Sequence, residues 1–511
     1  MNNNNFSLPS NKKNACLVLF VLGIAAVVFC LRSSCFSPLN CVIMCSDPAT
    51  FYMCGKAWYH GYIPYIDIVD VKGPLLFFIF LIGQYITPDD CYGICAIQAF
   101  ALTITLLGIY YTANILLKDT FASLLTALIC LFVIGQSETW GGGGQAEIFI
   151  IPFAAWMLYS FIAFLYEPVL TKKSIISVSI SSGLGLAASL LIKYNTLLPF
   201  LAVILLSFII LVYKSENRRF LKLFLLSTSA SFALLIAPFV IWMVIQGNFS
   251  HFIHWYFFIN TQTYFGSNSS MVDNTGGSVS AIVTYCLTSV KNILRDPVPI
   301  VSIIAVISPV YHNRHSKYPL LNSIYLFLLI LTFAISSQGL FLYYRIFESV
   351  VFVIPAIVMS KCWCKFCGYK AIKVLILAFC ITLLWGYNLV NEYRDRTTVD
   401  PGYSSAHYRA ERLVSEDKYK KVLYWGGLEL GYGKKTLLPA IPLWTRHNGS
   451  TKEMDEEQIK SIQKAVPDFI FVCPWVEAKN PNLLATSGYQ KILDIPNIEK
   501  GKPGMTLWQK K

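Results

Sequence analysis

Charged residues are scarce in this chain: Asp, Glu, Lys and Arg make up 14% of its 511 residues, whereas hydrophobic residues make up 55%. A soluble globular protein carries about 25% charged residues, so this composition excludes an ordinary cytosolic protein. Acidic residues are the rarer kind, with 28 against 41 basic ones. In a soluble protein the net charge of +13 would suggest a nucleic-acid partner. In a membrane protein basic residues sort by loop instead, so we expect no nucleic acid.

The scarcity of charge is confined to one part of the chain. Residues 1–390 hold 22 basic and 13 acidic residues, whereas 391–511 hold 19 and 15, which is an ordinary soluble density. We therefore predict a transmembrane domain over 1–390 and a small soluble α/β domain over 391–511. In the second domain the helix-like segment 455–465 lies among strand-like segments.

Uncharged apolar runs of about 17 to 25 residues are typical of membrane-spanning helices. Eleven runs are interpreted as spans, of which 297–311 and 349–360 are the least regular. The others are 15–31, 91–117, 120–137, 148–166, 174–192, 194–213, 223–246, 318–336 and 374–390. The predicted fold is a polytopic α-helical membrane protein with additional membrane-lying helices.

Two further apolar segments, 73–87 and 280–292, decide the predicted topology. If neither crosses, 15 of the 22 basic residues of the membrane part fall inside, as the positive-inside rule requires. We therefore interpret both as helices lying in the outer interface. This puts the N-terminus inside and the C-terminal domain outside, in what we expect to be a bacterial inner membrane. Ten of the 13 acids then lie outside, which locates any chemistry there.

The first outer loop, 33–90, concentrates ionisable side chains between apolar helices. Lys72 directly precedes a Gly-Pro turn and an apolar interfacial helix, which would hold its ammonium at the depth of lipid phosphates. Asp47 on the same loop is then a candidate general base. The alternative is a solvated loop whose charges only face water. The candidate site residues of this loop are Asp47, Tyr65, Asp67, Asp70 and Lys72.

Three candidates lie further along the chain. Glu147 follows four consecutive glycines in a later outer loop. Lys193, at the outer end of a span, contacts either the site or the lipid surface. Arg345 precedes a late span, where an unpaired Arg costs about 2.5 to 3.5 kcal/mol at mid-depth. It either binds an anion or pairs with Glu348, three residues later.

The order of four features resembles the GT-C superfamily of membrane glycosyltransferases. They are Asp47 early in the outer loop, the Gly-x-x-Pro-Tyr-x-Asp turn at 61–67, the Lys-Gly-Pro-Leu step at 72–75, and the later acid Glu147. The most similar branch contains the lipid A aminoarabinose transferases and the protein O-mannosyltransferases. The resemblance implies an enzyme that takes a sugar from a polyprenyl-phosphate donor. It further implies a glycan, lipid or protein acceptor on the outer face.

Carried onto this chain, the resemblance implies roles for individual residues. Asp47 matches the catalytic acid, Lys72 the lysine that contacts the donor phosphate, and Glu147 the second outer-loop carboxylate. A Tyr/Arg/His cluster near the lipid phosphate is matched by Tyr343, Tyr344 and Arg345. Many relatives have Asp-Glu at the first position, where this chain has Asp47 followed by Pro48.

The chemistry that this implies needs few groups. A phosphate leaving group needs its charge neutralised, not protonated, so one or two cations and a carboxylate base suffice for an inverting displacement at the anomeric carbon. Lys72 and Arg345 can supply the cations. No cofactor is required and no metal ligand is assigned, while a divalent metal is left open.

Two other classes share some of these features. A transporter or flippase of lipid-linked sugars is also basic inside and has many spans, but the chain shows no internal repeat of the kind common in such folds. A polysaccharide polymerase or ligase would use the same kind of lipid-phosphate donor. These remain the alternative predictions.

Overall fold

The computed structural model describes residues 12–39, 46–213, 215–259, 296–311, 319–337, 342–366, 414, 420–425, 437–442, 452–495 and 504–511. The described part is helical as far as residue 366 and forms a β-sheet with helices after residue 420. Two predicted elements, the membrane-lying helix 280–292 and the span 374–390, lie outside the described residues.

Long apolar helices make up most of the first part. In chain order the helices are α1 (Lys12–Ser33), α2 (Ser46–Tyr59), α3 (Pro74–Ile86), α4 (Tyr92–Leu117), α5 (Thr120–Ile134), α6 (Ser137–Trp140), α7 (Ile151–Tyr166), α8 (Lys172–Ile192), α9 (Leu198–Tyr213), α10 (Leu221–Gln246), α11 (Phe249–Phe252), α12 (Pro297–Val306), α13 (Pro319–Ser336) and α14 (Val353–Phe366). Short 3-10 turns at Ala146–Phe149, Tyr194–Thr196, Ser215–Phe220, Leu342–Ile346 and Glu348–Phe352, and a π-helical turn at Ile253–Ile259, connect some of them.

Seven stretches of helix in the described residues are long and apolar enough to cross a membrane, which makes the chain a multi-pass membrane protein. They are Ala15–Ser33, Tyr92–Leu117, Lys172–Ile192, Tyr194–Tyr213, Glu216–Gln246, Pro319–Ser336 and Tyr344–Cys364. The apolar helices α3, α5, α7 and α12 are shorter, at 10–17 residues. Three of these, α5, α7 and α12, overlap predicted spans, whereas α3 is the predicted membrane-lying helix. The count of eleven spans stays a prediction, because length alone does not decide which short helices cross.

Helix α3 positions the first outer loop. It begins at Pro74, whose missing N–H is not needed in the first turn of a helix. Its 13 residues extend about 20 Å, which is less than the hydrocarbon core of about 30 Å. One side packs against α2, α4 and α8, and the other exposes Phe78, Ile82, Tyr85 and Ile86. These properties fit a helix that lies along the interface, with Lys72 just before its start.

The C-terminal part contains a five-stranded sheet of order β2-β1-β3-β5-β4. The strands are β1 (Lys420–Trp425), β2 (Leu437–Pro439), β3 (Phe469–Val472), β4 (Tyr489–Ile495) and β5 (Met505–Lys510). Strand β1 pairs in parallel with β2 and β3, while β5 is antiparallel to β3 and β4. The helices of this part are α15 (Lys452–Gln463), α16 (Pro474–Lys479) and α17 (Leu483–Thr486). They contribute to a hydrophobic cluster on one face of the sheet, which includes Leu423 and Ile470.

The opposite face of the sheet packs against the membrane part. Because side chains alternate along a strand, Tyr424 and Phe471 point away from that helical cluster, and both belong to the core shared with the first part of the chain. Their rings stack with centroids 4.9 Å apart. The backbone N–H of Val69 donates to the carbonyl of Pro442 at 3.0 Å. The sheet therefore contacts the first outer loop, while the division into two domains at residue 390 stays a prediction.

Candidate active site

The turn that leads to Lys72 is shaped by two of the predicted site residues. The carboxylate of Asp67 accepts the backbone N–H of Ile63 at 2.7 Å. Tyr65 is buried and adopts a positive φ of 69°, which is uncommon for a residue other than glycine. Its hydroxyl donates to the carbonyl of Lys72 at 2.7 Å, and burial raises the pKa of that hydroxyl, which keeps it protonated. Asp67 therefore holds the turn at 63–67, and Tyr65 connects this turn to the backbone of Lys72.

Gly73 brings Lys72 to the end of helix α8. Its N–H donates to the carbonyl of Ile192 at 3.1 Å. A Cβ at this position would lie 2.1 Å from the carbonyl oxygen of Leu191, so only glycine allows this approach. The side chain of Lys72 is buried, with its Nζ 5.8 Å from the ring centroid of Phe51 on α2. The Gly-Pro step thus serves both to start α3 and to dock it on α8.

The glycine run before Glu147 forms a loop that other residues could not form. Gly141, Gly142, Gly143 and Gly144 all have positive φ, at 57°, 77°, 81° and 78°. Such a series is open only to glycine at low cost. A Cβ at Gly144 would lie 2.8 Å from Cβ of Pro48, so the loop packs closely against the start of α2. This approach brings the two predicted outer-loop carboxylates, Asp47 and Glu147, into one region.

A buried ion pair lies at the centre of this region. The ammonium of Lys193 is hydrogen-bonded to the carboxylate of Glu147, and their side chains are only 12% and 2% exposed. Lys193 also lies over the ring of Tyr344, with Nζ 3.5 Å from the ring centroid. Such a cation–π contact is stabilising when it is removed from water. The structure therefore brings three predicted candidates, Glu147, Lys193 and Tyr344, into direct contact.

Two more predicted residues lie within electrostatic range of this pair. Burial lowers the pKa of Lys193; the negative charges of Glu147 and Asp47 oppose this shift, and the positive charge of Lys72 adds to it. Asp47 stands in the first turn of α2, where the helix dipole favours a carboxylate. We refer to Asp47, Lys72, Glu147 and Lys193 as the outer cluster.

Arg345 pairs with a residue that the sequence reasoning did not assign to it. Its Nε lies 3.0 Å from Oδ2 of Asp296, at the start of α12. The alternative partner considered from the sequence, Glu348, is buried and forms no ion pair with Arg345 in the described part of the chain. The alternative of an ion pair between Arg345 and Glu348 is therefore not what the structure shows, and the anion-binding role of Arg345 stays a prediction. Asp70 is buried too, close enough to Tyr65 to act on its pKa, and the side chain of Tyr343 lies outside the described residues.

Sequence reasoning missed two buried charged residues. Asp296 precedes a Pro-x-Pro segment and caps α12, which is a recognisable helix start. Lys56 on α2 is only 2% exposed, and burial lowers its pKa to about 8, while Asp89 and Asp90 oppose the shift. No local pattern indicated that Lys56 is buried, because residues 48–57 are all buried by neighbouring elements and not along one face of their helix.

The described ranges contain no group of three or more His, Cys, Asp or Glu side chains that could hold a metal ion. The outer cluster mixes two carboxylates with two ammonium groups, and one of its carboxylates is already bonded to Lys193. Such a donor set does not favour a divalent cation.

Comparison with known families supports the family resemblance that the sequence predicted. Residues 71–242 match the family described as dolichyl-phosphate-mannose-protein mannosyltransferase. The chain resembles the GT-C membrane glycosyltransferases. That predicted resemblance is confirmed, and the matched segment includes Lys72, Glu147 and Lys193 but neither Asp47 nor Arg345. No curated protein sequence matches the chain.

Solved structures of low similarity cover most of the chain. ArnT from Cupriavidus metallidurans bound to undecaprenyl phosphate is 11% identical, with 98% of each chain covered and a TM-score of 0.46. The same protein in the apo state is 12% identical, with the same coverage and TM-score. The apo oligosaccharyltransferase of Archaeoglobus fulgidus is 14% identical, with 92% of this chain and 71% of that chain covered and a TM-score of 0.46.

Proposed function

We propose that this protein moves a sugar from a polyprenyl-phosphate donor to an acceptor at the outer face of the membrane. The observation that carries the proposal is the outer cluster beside the start of helix α3. A helix lying in the interface holds its first residues at headgroup depth, where a lipid phosphate is found. The family match over residues 71–242 supports the same class of reaction.

The donor phosphate is bound by Lys72 and Arg345 in this proposal. Lys72 supplies a compact positive charge close to α3. Arg345 uses one N–H on Asp296, and its guanidinium has further N–H groups that match phosphate oxygens. Tyr344, next to Arg345, ties this segment to Lys193. The charge of the leaving phosphate is thereby stabilised as the bond to the sugar breaks.

Asp47 is the general base for the acceptor. As the acceptor oxygen forms its bond to the anomeric carbon, the bond from that carbon to the phosphate oxygen breaks, and the acceptor proton passes to Asp47. Attack opposite the leaving group inverts the anomeric centre. Glu147 is a helper in this scheme, because its carboxylate is engaged by Lys193 and acts on the reaction through that ammonium.

The acceptor is a glycan, a lipid or a protein that approaches from the outer side. The contact between Val69 and Pro442 supports a C-terminal sheet that lies over the first outer loop and limits access to it. We assign this side to the outside of a bacterial inner membrane, in keeping with the distribution of basic and acidic residues along the chain.

The base can be tested with purified protein, labelled polyprenyl-phosphate sugars and an acceptor extract, with products separated by chromatography. Asp47→Asn keeps the shape of the side chain and should lower transfer by about 10² to 10⁴-fold while the donor still binds. Asp119→Asn is a matched control, because Asn keeps the cap of α5 that Asp119 makes with Ala122. A β-linked donor should give an α-linked product. Full activity in Asp47→Asn would exclude this mechanism.

Donor binding separates the transferase from a transporter or flippase. Lys72→Ala should weaken binding of the lipid donor by about tenfold or more, whereas Lys72→Arg should retain part of it. Lys173→Ala, at an exposed residue near the start of α8, is the control. If Lys72→Ala leaves donor affinity unchanged and no transfer product forms, the transporter alternative is favoured.

A further inference from the structure

In the ion pair of Arg345 and Asp296, the two side chains differ strongly in solvent exposure. The side chain of Asp296 is 4% exposed and that of Arg345 is 37% exposed. Oδ2 of Asp296 faces Nε of Arg345, and Oδ1 accepts the backbone N–H of Val298 at 3.0 Å. Both oxygens of Asp296 are thus engaged, and its carboxylate is fixed to the start of α12. The exposed partner of the pair is the guanidinium.

A second carboxylate lies beside the same guanidinium. Glu348 is 1% exposed, and two residues act on it: Asp296, through a side-chain hydrogen bond and its charge, and Arg345, through its charge. Without the negative charge of Asp296, Glu348 would be left as the buried carboxylate that can pair with Arg345 and draw the guanidinium inward. In the structure Asp296 holds the guanidinium through Nε.

We propose that Asp296 is a positioning residue that holds Arg345 toward the donor phosphate and prevents its capture by Glu348. The inference rests on the proposed function, since it concerns how Arg345 meets the donor. It explains why the arginine is anchored from a different helix and not from its own turn. A snorkelling arginine would need no buried partner of this kind.

Three variants test the role of Asp296. Asp296→Asn retains an oxygen for the Val298 N–H, so α12 stays capped while the charge that holds Arg345 is lost. Donor KM should rise by about tenfold, and kcat should fall as well, because Arg345 also stabilises the charge of the leaving phosphate. Arg345→Ala should raise KM at least as much, and adding Asp296→Asn to it should cause no further change. Additive effects of these two substitutions would overturn the proposal.

Replacing Glu348 distinguishes a positioning role of Asp296 from a purely structural one. In the Asp296→Asn background, Glu348→Gln removes the competing charge and should restore part of the donor affinity. A purely structural role for Asp296 predicts no such rescue, so an unchanged KM in the double variant would overturn the proposal. Wild-type protein is measured first with the labelled polyprenyl-phosphate sugar. If it binds no donor, the proposed function fails; if it binds and Asp296→Asn binds equally well, only the positioning role fails.

Discussion

The buried ion pair between Glu147 and Lys193 can be tested by replacing each partner with an apolar residue of similar size. Glu147→Leu leaves a buried ammonium, and Lys193→Met leaves a buried carboxylate. The double variant leaves neither. Breaking a buried pair by removing one partner is strongly destabilising, whereas replacing both partners by apolar side chains is often neutral. A double-mutant cycle therefore measures the pair directly.

The expected magnitudes follow from the burial of the two side chains, which are 12% exposed for Lys193 and 2% for Glu147. An unpaired group can escape the cost of a buried charge by changing its protonation. Neutralising an ordinary lysine at pH 7 costs about 5 kcal/mol, and neutralising an ordinary carboxylate costs about 4 kcal/mol. These values are upper bounds for Glu147→Leu and Lys193→Met respectively. The double variant should lie within about 1 to 2 kcal/mol of the wild type.

Unfolding of the detergent-solubilised protein, followed by tryptophan fluorescence, gives the four free energies of unfolding. The loss in Glu147→Leu should shrink as pH rises toward 9, because burial lowers the pKa of Lys193 and its deprotonation becomes easier. Transfer activity should stay low in the stable double variant, since the ammonium through which Glu147 acts is absent from the outer cluster. If the double variant loses as much stability as the two single variants together, Glu147 and Lys193 do not act as a pair.

Three other expectations concern positioning, burial and topology. Gly73→Ala should lower donor affinity about tenfold or more, because the added Cβ would lie 2.1 Å from the Leu191 carbonyl oxygen. Gly23→Ala is the control: its Cβ would lie 4.0 Å from the side chain of Thr103, so this variant should bind donor normally. Lys56→Met should raise the free energy of unfolding by up to about 3 kcal/mol at pH 7, because the folded state lowers the pKa of Lys56 from 10.5 to about 8. The gain should vanish as pH rises through 10.5, and a gain that is independent of pH would contradict this reasoning. A reporter fused after Lys118 should read inside and one fused after residue 390 should read outside; equal readings would refute the eleven-span topology.

Local chemistry was enough to identify several features of this protein. The scarcity of charge and the length of the apolar runs predicted a multi-pass membrane protein, because a hydrocarbon environment penalises charge whatever the tertiary contacts are. The Lys-Gly-Pro step predicted a helix start just after Lys72, since proline is favoured in the first turn of a helix. The order of acids and turns in the outer loops predicted the GT-C resemblance, which the family match confirms.

The partners of the charged residues could not be obtained in the same way. Spacing along a helix suggested that Arg345 pairs with Glu348, but these residues lie in two separate 3-10 turns, and Arg345 instead meets Asp296. The ion pair of Lys193 with Glu147 joins residues 46 positions apart, and no periodic pattern relates them. The four glycines before Glu147 were visible in the sequence, but not the series of positive φ angles that packs their loop against Pro48.

The amino-acid sequence was therefore enough to identify the environment of the chain and the residue types available to the site. Which of those residues meet depends on the folded arrangement of the helices. Whether a segment enters a membrane depends on its own apolar side chains. The contacts in the site depend instead on how the apolar faces of several elements pack together, namely α2, α3, α8 and the turn at Leu342–Ile346. Lys72 approaches Lys193 only because Gly73 lets α3 contact the end of α8, and that contact exists only in the folded protein.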